Sequence, residues 1–243
     1  MRIVSLVPSV TDTMAALGVA DRLVGVTDYC VAGAPSDAAR VGGTKNPAID
    51  RVLALRPDLV IANSEENRPD DLDRLRDAGV KVAETFVQTV DEALDLVFWL
   101  GEVCNVDAGS LLDDLEAAQE EAERRRPATP VVALTLIWRR PWRGVGADTY
   151  VDDLLRCCGF ANALAVCADR YPGVAPPLRP LPQVVLLPSE PYRFTDADLP
   201  AVAALTGDAP ARFVDGQLLT WHGARTGEAL RRFSALAGEL AAA

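Results

Sequence analysis

The sequence predicts an α/β protein in which two Rossmann-like lobes are joined by one long, rigid helix. Short apolar strands alternate with amphipathic helices in the first part of the chain, and the same alternation returns in the last part. A charged helical tract without a glycine- or serine-rich linker lies between them. Strands separated by single helices pair in parallel through right-handed crossovers. We therefore predict an N-terminal lobe over residues 1–88, a helical segment over 89–128 and a C-terminal lobe over 129–243.

In the N-terminal lobe, apolar runs predict the strands, and apolar residues at helical spacing predict the helices. The predicted strands are RIVSLV, RLVGVT, DLVIAN and KVAETF. The predicted helices are SVTDTMAALGV, AIDRVLALR and PDDLDRLRDAG. Pro69 begins the last of these helices and Gly79 ends it, because proline is favoured in the first helical turn and glycine just beyond the last.

The helical segment contains two predicted helices, TVDEALDLVFWLGEVCNV and AGSLLDDLEAAQEEAERRR. The second is acidic at first and basic at its end, which suits the helix macrodipole. At a rise of 1.5 Å per residue it spans about 28 Å. It is therefore the predicted rigid connection between the lobes.

The C-terminal lobe repeats the pattern of the first. Its predicted strands are VVALTLIW, QVVLLP and RFVDG, and its predicted helices are TYVDDLLRCCGF and ARTGEALRRFSALAGELAAA. The intervening YPGVAPPLRPLP is too rich in proline to form a helix.

Composition excludes several classes of function. The chain of 243 residues is 49% hydrophobic with a formal net charge of −11, so nucleic acid is not an expected partner. The single histidine, His222, rules out a metal site built on several imidazoles, and the five cysteines lack zinc-ligand spacing. We find no glycine-rich phosphate motif and no GxSxG nucleophile motif. These features predict no catalytic residue, no resident metal and no cofactor.

The start of the chain, MRIVSLVPS, forms an apolar strand from its second residue, without a preceding signal peptide. As written, the sequence leads us to expect a cytoplasmic protein. A truncated N-terminus would instead allow a periplasmic or cell-surface location.

Candidate binding residues follow the predicted strands, where open α/β sheets hold ligands. DLVIAN ends in Asn63 and is followed by Ser64, Glu65 and Glu66, the two glutamates being candidates either for ligand contact or for helix capping. The C-terminal lobe has three groups that combine aromatic rings with guanidinium groups: WRRPWRG, SEPYRF and TWHGARTG. Such groups bind flat or anionic ligands through stacking and charge-assisted hydrogen bonds. The alternative for each is local packing against a loop.

Four segments together resemble a known family. RIVSLVPSVTDTMAALGVADRLVGVTDYC, VGGTKNPAIDRVLALRPDLVIAN, GADTYVDDLLRCCGFANAL and VVLLPSEPY are similar to the class III substrate-binding proteins of ABC importers, the helical-backbone receptors for cobalamin, ferric siderophores and haem. The similarity runs from the first strand to the last helix.

The resemblance implies a ligand cleft between the lobes, and it places residues there by position. The N-terminal lobe would contribute Pro8, Ser9, Tyr29, Asn63, Ser64, Glu65 and Glu66. The C-terminal lobe would contribute Trp138, Arg139, Arg140, Glu190, Tyr192, Trp221, His222 and Arg225. Tyr29 matches a tyrosine that faces the ligand in the cobalamin-binding relatives.

The sequence departs from the family pattern at two places. Thr44 stands where the cobalamin binders have a tryptophan. Family members that dock onto a permease carry one acidic residue on each lobe. Asp50 matches the first, whereas Pro176 and Pro177 lie where the second is expected. The resemblance implies an ABC permease as a partner through Asp50, whereas the missing second carboxylate argues against an ordinary periplasmic or lipid-anchored receptor.

The resemblance implies a substrate-binding protein that holds an iron-siderophore, haem or corrinoid-like ligand without chemistry. The expected partner is thus a small-molecule metal chelate or tetrapyrrole. The alternative is a cytosolic enzyme or carrier that has retained the receptor fold. A direct zinc or manganese receptor ranks last, because the chain has one histidine.

Overall fold

The computed structural model describes residues 1–242; Ala243, the last residue of the predicted C-terminal lobe, lies outside the described residues. The chain divides into two compact units. The first contains residues 1–87, 93–113 and 222–224, and the second contains 88–92, 114–221 and the chain from 225 onward. Each unit is built around its own β-sheet.

The first unit contains a parallel sheet of five strands in the order β3-β2-β1-β4-β5. The strands are β1 (Ile3–Ser5), β2 (Leu23–Val26), β3 (Ala39–Arg40), β4 (Leu59–Asn63) and β5 (Val82–Thr85). β4 is buried along its whole length, because it lies inside the sheet. Because all five strands are parallel, their carboxyl ends lie at one edge of the sheet.

Three helices cover this sheet: α1 (Pro8–Ala16), α2 (Ile49–Ala54) and α3 (Pro69–Asp77). Proline occupies the first turn of α1 and of α3, where its missing N–H costs no hydrogen bond. The apolar side chains of α2 and α3 pack against those of β1 and β4 in one core: Val4, Leu6, Ile49, Val52, Val60, Ala62, Leu72 and Leu75.

Two longer helices follow, α4 (Val90–Cys104) and α5 (Gly109–Arg125). Thr89 and Glu92 form a capping box at the start of α4: the Thr89 hydroxyl accepts from the Glu92 N–H at 3.1 Å, and the Glu92 carboxylate accepts from the Thr89 N–H at 3.2 Å. The 17 residues of α5 match the predicted connecting helix and span about 25 Å.

The sheet of the second unit also has five strands, with the path β10-β9-β6-β7 and β8 beside β6. They are β6 (Val131–Arg139), β7 (Trp142–Gly144), β8 (Phe160–Asn162), β9 (Val184–Pro188) and β10 (Ala211–Val214). β6 is parallel to β8 and β9, and β9 is parallel to β10. β7 is antiparallel to β6, so it begins at the edge where β6 ends.

The helices of the second unit are α6 (Tyr150–Cys157), α7 (Leu199–Thr206), α8 (Gly216–Thr220) and α9 (Thr226–Ala241). Thr149 caps α6 by accepting from the Asp152 N–H at 3.1 Å. One core of this unit joins β6 and β9 to α7 through Leu134, Leu136, Val185, Leu187, Val202 and Leu205.

The two sheets confirm the predicted α/β class. Sequence analysis did not predict β3, β7, β8, α7 or α8, all of which are short. Within residues 1–242, no helix is both long enough and apolar enough to span a bilayer.

Two glycines with positive φ provide a test of the packing around α6. Gly159, with φ +94°, follows α6, and a Cβ there would lie 2.4 Å from Cδ of Pro127. Gly79, with φ +83°, follows α3 and has no atom within 4 Å of such a Cβ. We expect Gly79→Ala to lower the free energy of unfolding by about 1 kcal/mol through backbone strain. Gly159→Ala should cost about 3 kcal/mol, because overpacking adds to that strain. Urea denaturation measures both variants, and equal losses would contradict the packing described.

Candidate ligand-binding site

The predicted binding residues lie near the carboxyl ends of the parallel strands in the two sheets. In the first unit they end β4 or follow β1, β2 and β4, and in the second they end β6 or follow β6, β9 and β10. His222, which comes after β10 in the chain, lies in the 222–224 segment of the first unit. Ligands of open α/β sheets bind outside these ends, because the loops there are free to vary. We call the regions at these ends in the two sheets the first and the second carboxyl edge, and describe each separately.

At the first carboxyl edge, Pro8 and Ser9 begin α1 and are both buried. Tyr29 follows β2 and is 62% exposed, with its ring beside Gly43. Phe86 follows β5, is 44% exposed and was not predicted. The first edge therefore presents two accessible aromatic rings, of which the sequence identified one.

The loop after β4 is shaped by two buried amides. The Asn63 side chain accepts from the Glu65 N–H at 2.8 Å, and the Asn67 side chain accepts from the Asn63 N–H at 2.8 Å. Asn67 also donates to the carbonyl of Thr44 at 2.9 Å. Asn63 therefore holds the loop in place rather than presenting its amide to solvent.

The rest of this loop lies nearer to solvent. Ser64 is exposed and donates to the Thr85 carbonyl at 3.4 Å, while Glu65 and Glu66 are half-buried. Lys45 donates to the backbone carbonyl of Glu65. These side chains remain predicted ligand contacts.

The second carboxyl edge contains a cluster of four aromatic rings: Trp138, Trp142, Tyr192 and Phe194. Tyr192 meets Trp138 edge-to-face with centroids 5.7 Å apart, and meets Phe194 in the same way at 4.7 Å. Phe194 is parallel to Trp142, with an interplanar angle of 2° and centroids 6.4 Å apart. Trp138 is 44% exposed, so it is the most accessible ring of this aromatic cluster.

The guanidinium of Arg139 forms an ion pair with the buried carboxylate of Asp198. It also lies 6.0 Å from the ring centroid of Trp142. Burial acts to raise the pKa of Asp198, but hydrogen bonds from Thr195 and the nearby charge of Arg139 lower it overall. The charge of Arg139 is therefore compensated within the second unit.

Sequence analysis missed Asp198 as a member of this site, and it included Phe194 only as part of the group SEPYRF. One signal was available for Asp198: it lies three residues after Thr195, the spacing of a capping box, and the structure contains that box. The ion pair with Arg139, 59 residues away in the chain, had no local signal.

Arg140 differs from its neighbour Arg139. Its backbone carbonyl accepts from the indole N–H of Trp138 at 3.2 Å, and its side chain is exposed. Arg140 therefore carries an accessible positive charge beside the exposed ring of the aromatic cluster.

A second polar group at this edge joins the loop after β9 to the end of α8. The indole N–H of Trp221 donates to Glu190 Oε1 at 2.7 Å, and Arg225 Cζ lies 5.1 Å from the Trp221 ring centroid. Gly216 is close to Glu190: a Cβ there would lie 2.5 Å from Glu190 Cγ. Burial raises the pKa of Glu190, opposed by the Trp221 hydrogen bond and the charge of Arg225.

His222 is 7% exposed, and burial lowers its pKa to about 4. Its imidazole is therefore neutral at neutral pH. In the part of the chain that the structure describes, residues 1–242, no three His, Cys, Asp or Glu side chains are grouped to hold a metal ion.

A known protein family matches this chain. The family model described as "Periplasmic binding protein" matches residues 3–175, more than half of the chain. The chain belongs to the periplasmic binding protein family. The predicted resemblance to the substrate-binding proteins of ABC importers is thereby confirmed.

Two curated members of this family illustrate the similarity. The vitamin B12-binding protein of Vibrio cholerae serotype O1 is 28% identical over 180 residues, which is 72% of this chain and 64% of the relative. An uncharacterized ABC transporter substrate-binding lipoprotein of Bacillus subtilis, YvrC, is 29% identical over 176 residues, covering 68% of this chain and 55% of the relative. The matches thus span less than two thirds of these relatives.

Solved structures of the periplasmic binding protein family match nearly the whole chain. The periplasmic haem-binding protein RhuT from Roseiflexus sp. RS-1 superposes with a TM-score of 0.84 at 24% identity, covering 99% of this chain and 98% of the other. The haem-binding protein BhuT with two haems gives 0.83 at 25% identity, with coverage of 99% and 98%. The vitamin B12-binding protein BtuF of Vibrio cholerae gives 0.82 at 23%, with coverage of 98% and 97%. These matches confirm the predicted fold class.

The low pKa of His222 predicts a specific dependence of stability on pH. Between pH 6.5 and about 4 the unfolded chain binds a proton at this residue and the folded chain does not, so the free energy of unfolding falls as the pH falls. On going from pH 7 to pH 4.5 the wild type should lose about 2 to 3 kcal/mol more than His222→Gln, whose side chain does not titrate. Urea denaturation at the two pH values measures this difference. Parallel losses in both proteins would show that burial does not exclude the proton.

Proposed function

We propose that this chain is a substrate-binding protein that holds a metal chelate or tetrapyrrole, of the haem, corrinoid or ferric-siderophore type, and releases it unchanged. Family membership supports this proposal, since the relatives that match are binding proteins. The printed names of relatives and structural neighbours include vitamin B12-binding and haem-binding proteins.

One observation carries the proposal: the aromatic cluster presents Trp138, 44% exposed, near the carboxyl end of β6. An indole face offers a large apolar area and favourable stacking to a flat or bulky conjugated ligand. Arg140, whose carbonyl accepts from the Trp138 indole, adds a guanidinium that can hold an anionic group. Trp221, whose indole donates to Glu190, is 7% exposed and therefore adds no accessible ring to this surface.

The first carboxyl edge supports the same proposal independently. Tyr29 is 62% exposed at the end of β2, and the half-buried Glu65 and Glu66 follow β4. Tyrosine combines an apolar ring with a hydroxyl that can bond to a polar ligand group. We assign these residues to the ligand as part of the proposal.

Binding without chemistry is supported by the state of His222. Its imidazole is neutral and buried, whereas a general acid or base works best with a pKa near the operating pH. The relatives that match this chain are named for binding or as substrate-binding proteins.

A titration with three probes tests the proposal. Haemin, cyanocobalamin and ferrichrome are each titrated into the purified protein by isothermal calorimetry. We expect one of them to bind with a Kd of about 1 μM or lower, as a specific receptor requires. Trp138→Ala should weaken that probe at least about tenfold, or about 1.4 kcal/mol.

Leu181→Ala is the matched control, because Leu181 is also exposed, at 70%, but precedes β9 and so lies away from its carboxyl end. Binding of none of the probes, or equal affinities of the two variants, would overturn the proposal. Mass spectrometry of the recovered probe provides a further check. A changed mass would indicate an enzyme.

We further propose that Asp50 is a contact for an ABC permease. Its side chain is 94% exposed at the first turn of α2, 3.4 Å from Arg74. An exposed carboxylate can meet a cation of a partner at little cost in desolvation. In the native host, Asp50→Ala should remove most uptake of the bound probe while leaving its Kd in solution unchanged. The control is Asp37→Ala, which removes another exposed carboxylate, and uptake that is equal in the two variants would refute the contact.

A further inference from the structure

The carboxylate of Asp198 connects the end of β6 to the segment between β9 and α7 at the second carboxyl edge. One oxygen accepts from the N–H and the hydroxyl of Thr195, at 2.9 and 3.2 Å. The other accepts from the Tyr192 hydroxyl at 3.4 Å and from the Arg139 guanidinium. Asp198 itself is 3% exposed, so these donors replace water around its charge.

Each of these partners belongs to the aromatic cluster or is next to one of its members. Tyr192 is a member. Arg139 follows Trp138 in β6, and Thr195 follows Phe194. One carboxylate therefore bonds to one ring of the cluster and to the residues next to two others.

Contacts between the rings link Asp198 to the exposed Trp138 through Tyr192. Tyr192 is in edge-to-face contact with both Trp138 and Phe194. Trp138 is fixed at its other side by the hydrogen bond from its indole to the carbonyl of Arg140. A displaced Tyr192 would leave the exposed Trp138 ring without one of its two supports.

The ion pair also distinguishes the two neighbouring arginines. The side chain of Arg139 is 23% exposed and that of Asp198 is 4% exposed, so separating the pair would leave a buried carboxylate without its charge partner. The Arg139 side chain is thus held by its ion pair with Asp198, whereas the Arg140 side chain is exposed to solvent.

We propose that Asp198 is a positioning residue, which orients the Trp138–Tyr192 pair for ligand binding through its bonds to Arg139, Tyr192 and Thr195. This inference rests on the proposed function, because it names the device that prepares that binding surface. It also assigns Arg139 to the support of the site and not to ligand contact.

The first test needs no ligand. The chain contains four tryptophans, so the protein labelled with 5-fluorotryptophan should give four fluorine resonances, assigned with single Trp→Phe variants. In Asp198→Asn we expect the Trp138 resonance to shift or broaden, while that of Trp99, which lies on α4 in the first unit, stays unchanged. Asp196→Asn is the control, since Asp196 is exposed in the same turn.

A second variant keeps the test decisive if Asp198→Asn does not fold. Tyr192→Phe keeps the ring and removes only the hydroxyl that donates to Asp198. It should also shift the Trp138 resonance. An unchanged Trp138 resonance in either variant, with the protein folded by circular dichroism, would overturn the inference.

The second test measures binding of haemin and cyanocobalamin, one anionic and one without net charge. A positioning residue acts on both, so Asp198→Asn should weaken whichever probes bind by about tenfold, the lower end of the loss seen when a residue that orients a metal ligand is removed. If Arg139 were instead a ligand contact masked by Asp198, the variant would bind haemin more tightly, and this result would overturn the inference. If the wild type binds neither probe, the proposed function fails, and the fluorine spectra still decide the role of Asp198.

Discussion

Parallel pairing of strands is the constraint on which the rest of this protein depends. Because neighbouring strands run in the same direction, each connection must cross back along a helix, and all the carboxyl ends meet at one edge. The loops after β4 and β9 lie at such edges, and β6 ends at the same edge as β9. Aromatic and charged side chains that are far apart in the chain are thereby brought into contact.

Buried polar groups then hold these loops in place. Asn63 and Asn67 shape the loop after β4, and the carboxylate of Asp198 joins the end of β6 to the loop after β9. A buried polar group is costly unless it is bonded, so such networks favour one loop conformation over others. A binding surface that is already ordered loses less conformational entropy when a ligand binds, which suits a receptor.

Most of the fold could be predicted from the sequence, because its main elements carry local signals. β4 and β9 are continuous apolar runs, and α3 has a proline at its start and a glycine beyond its end. β3 and β8 have two and three residues, too few for any periodicity, and they exist only through pairing with distant strands. The candidate site was predicted in part: Trp138 lies near the end of β6 and Tyr192 follows β9, two strands that the sequence indicates, whereas Phe86 and Asp198 were missed.

The sequence by itself determined the α/β class, the family and the loops that carry aromatic and basic residues, since all three depend on residue types and their local order. Only the tertiary structure decided which charges are compensated. Arg139 and Arg140 are adjacent and chemically identical in the sequence, yet one pairs with Asp198 and the other is exposed. Likewise Glu190 accepts from Trp221, 31 residues away, and His222 is neutral through burial. The physical reason is that ion pairs and desolvation depend on distance in space, which local sequence does not encode.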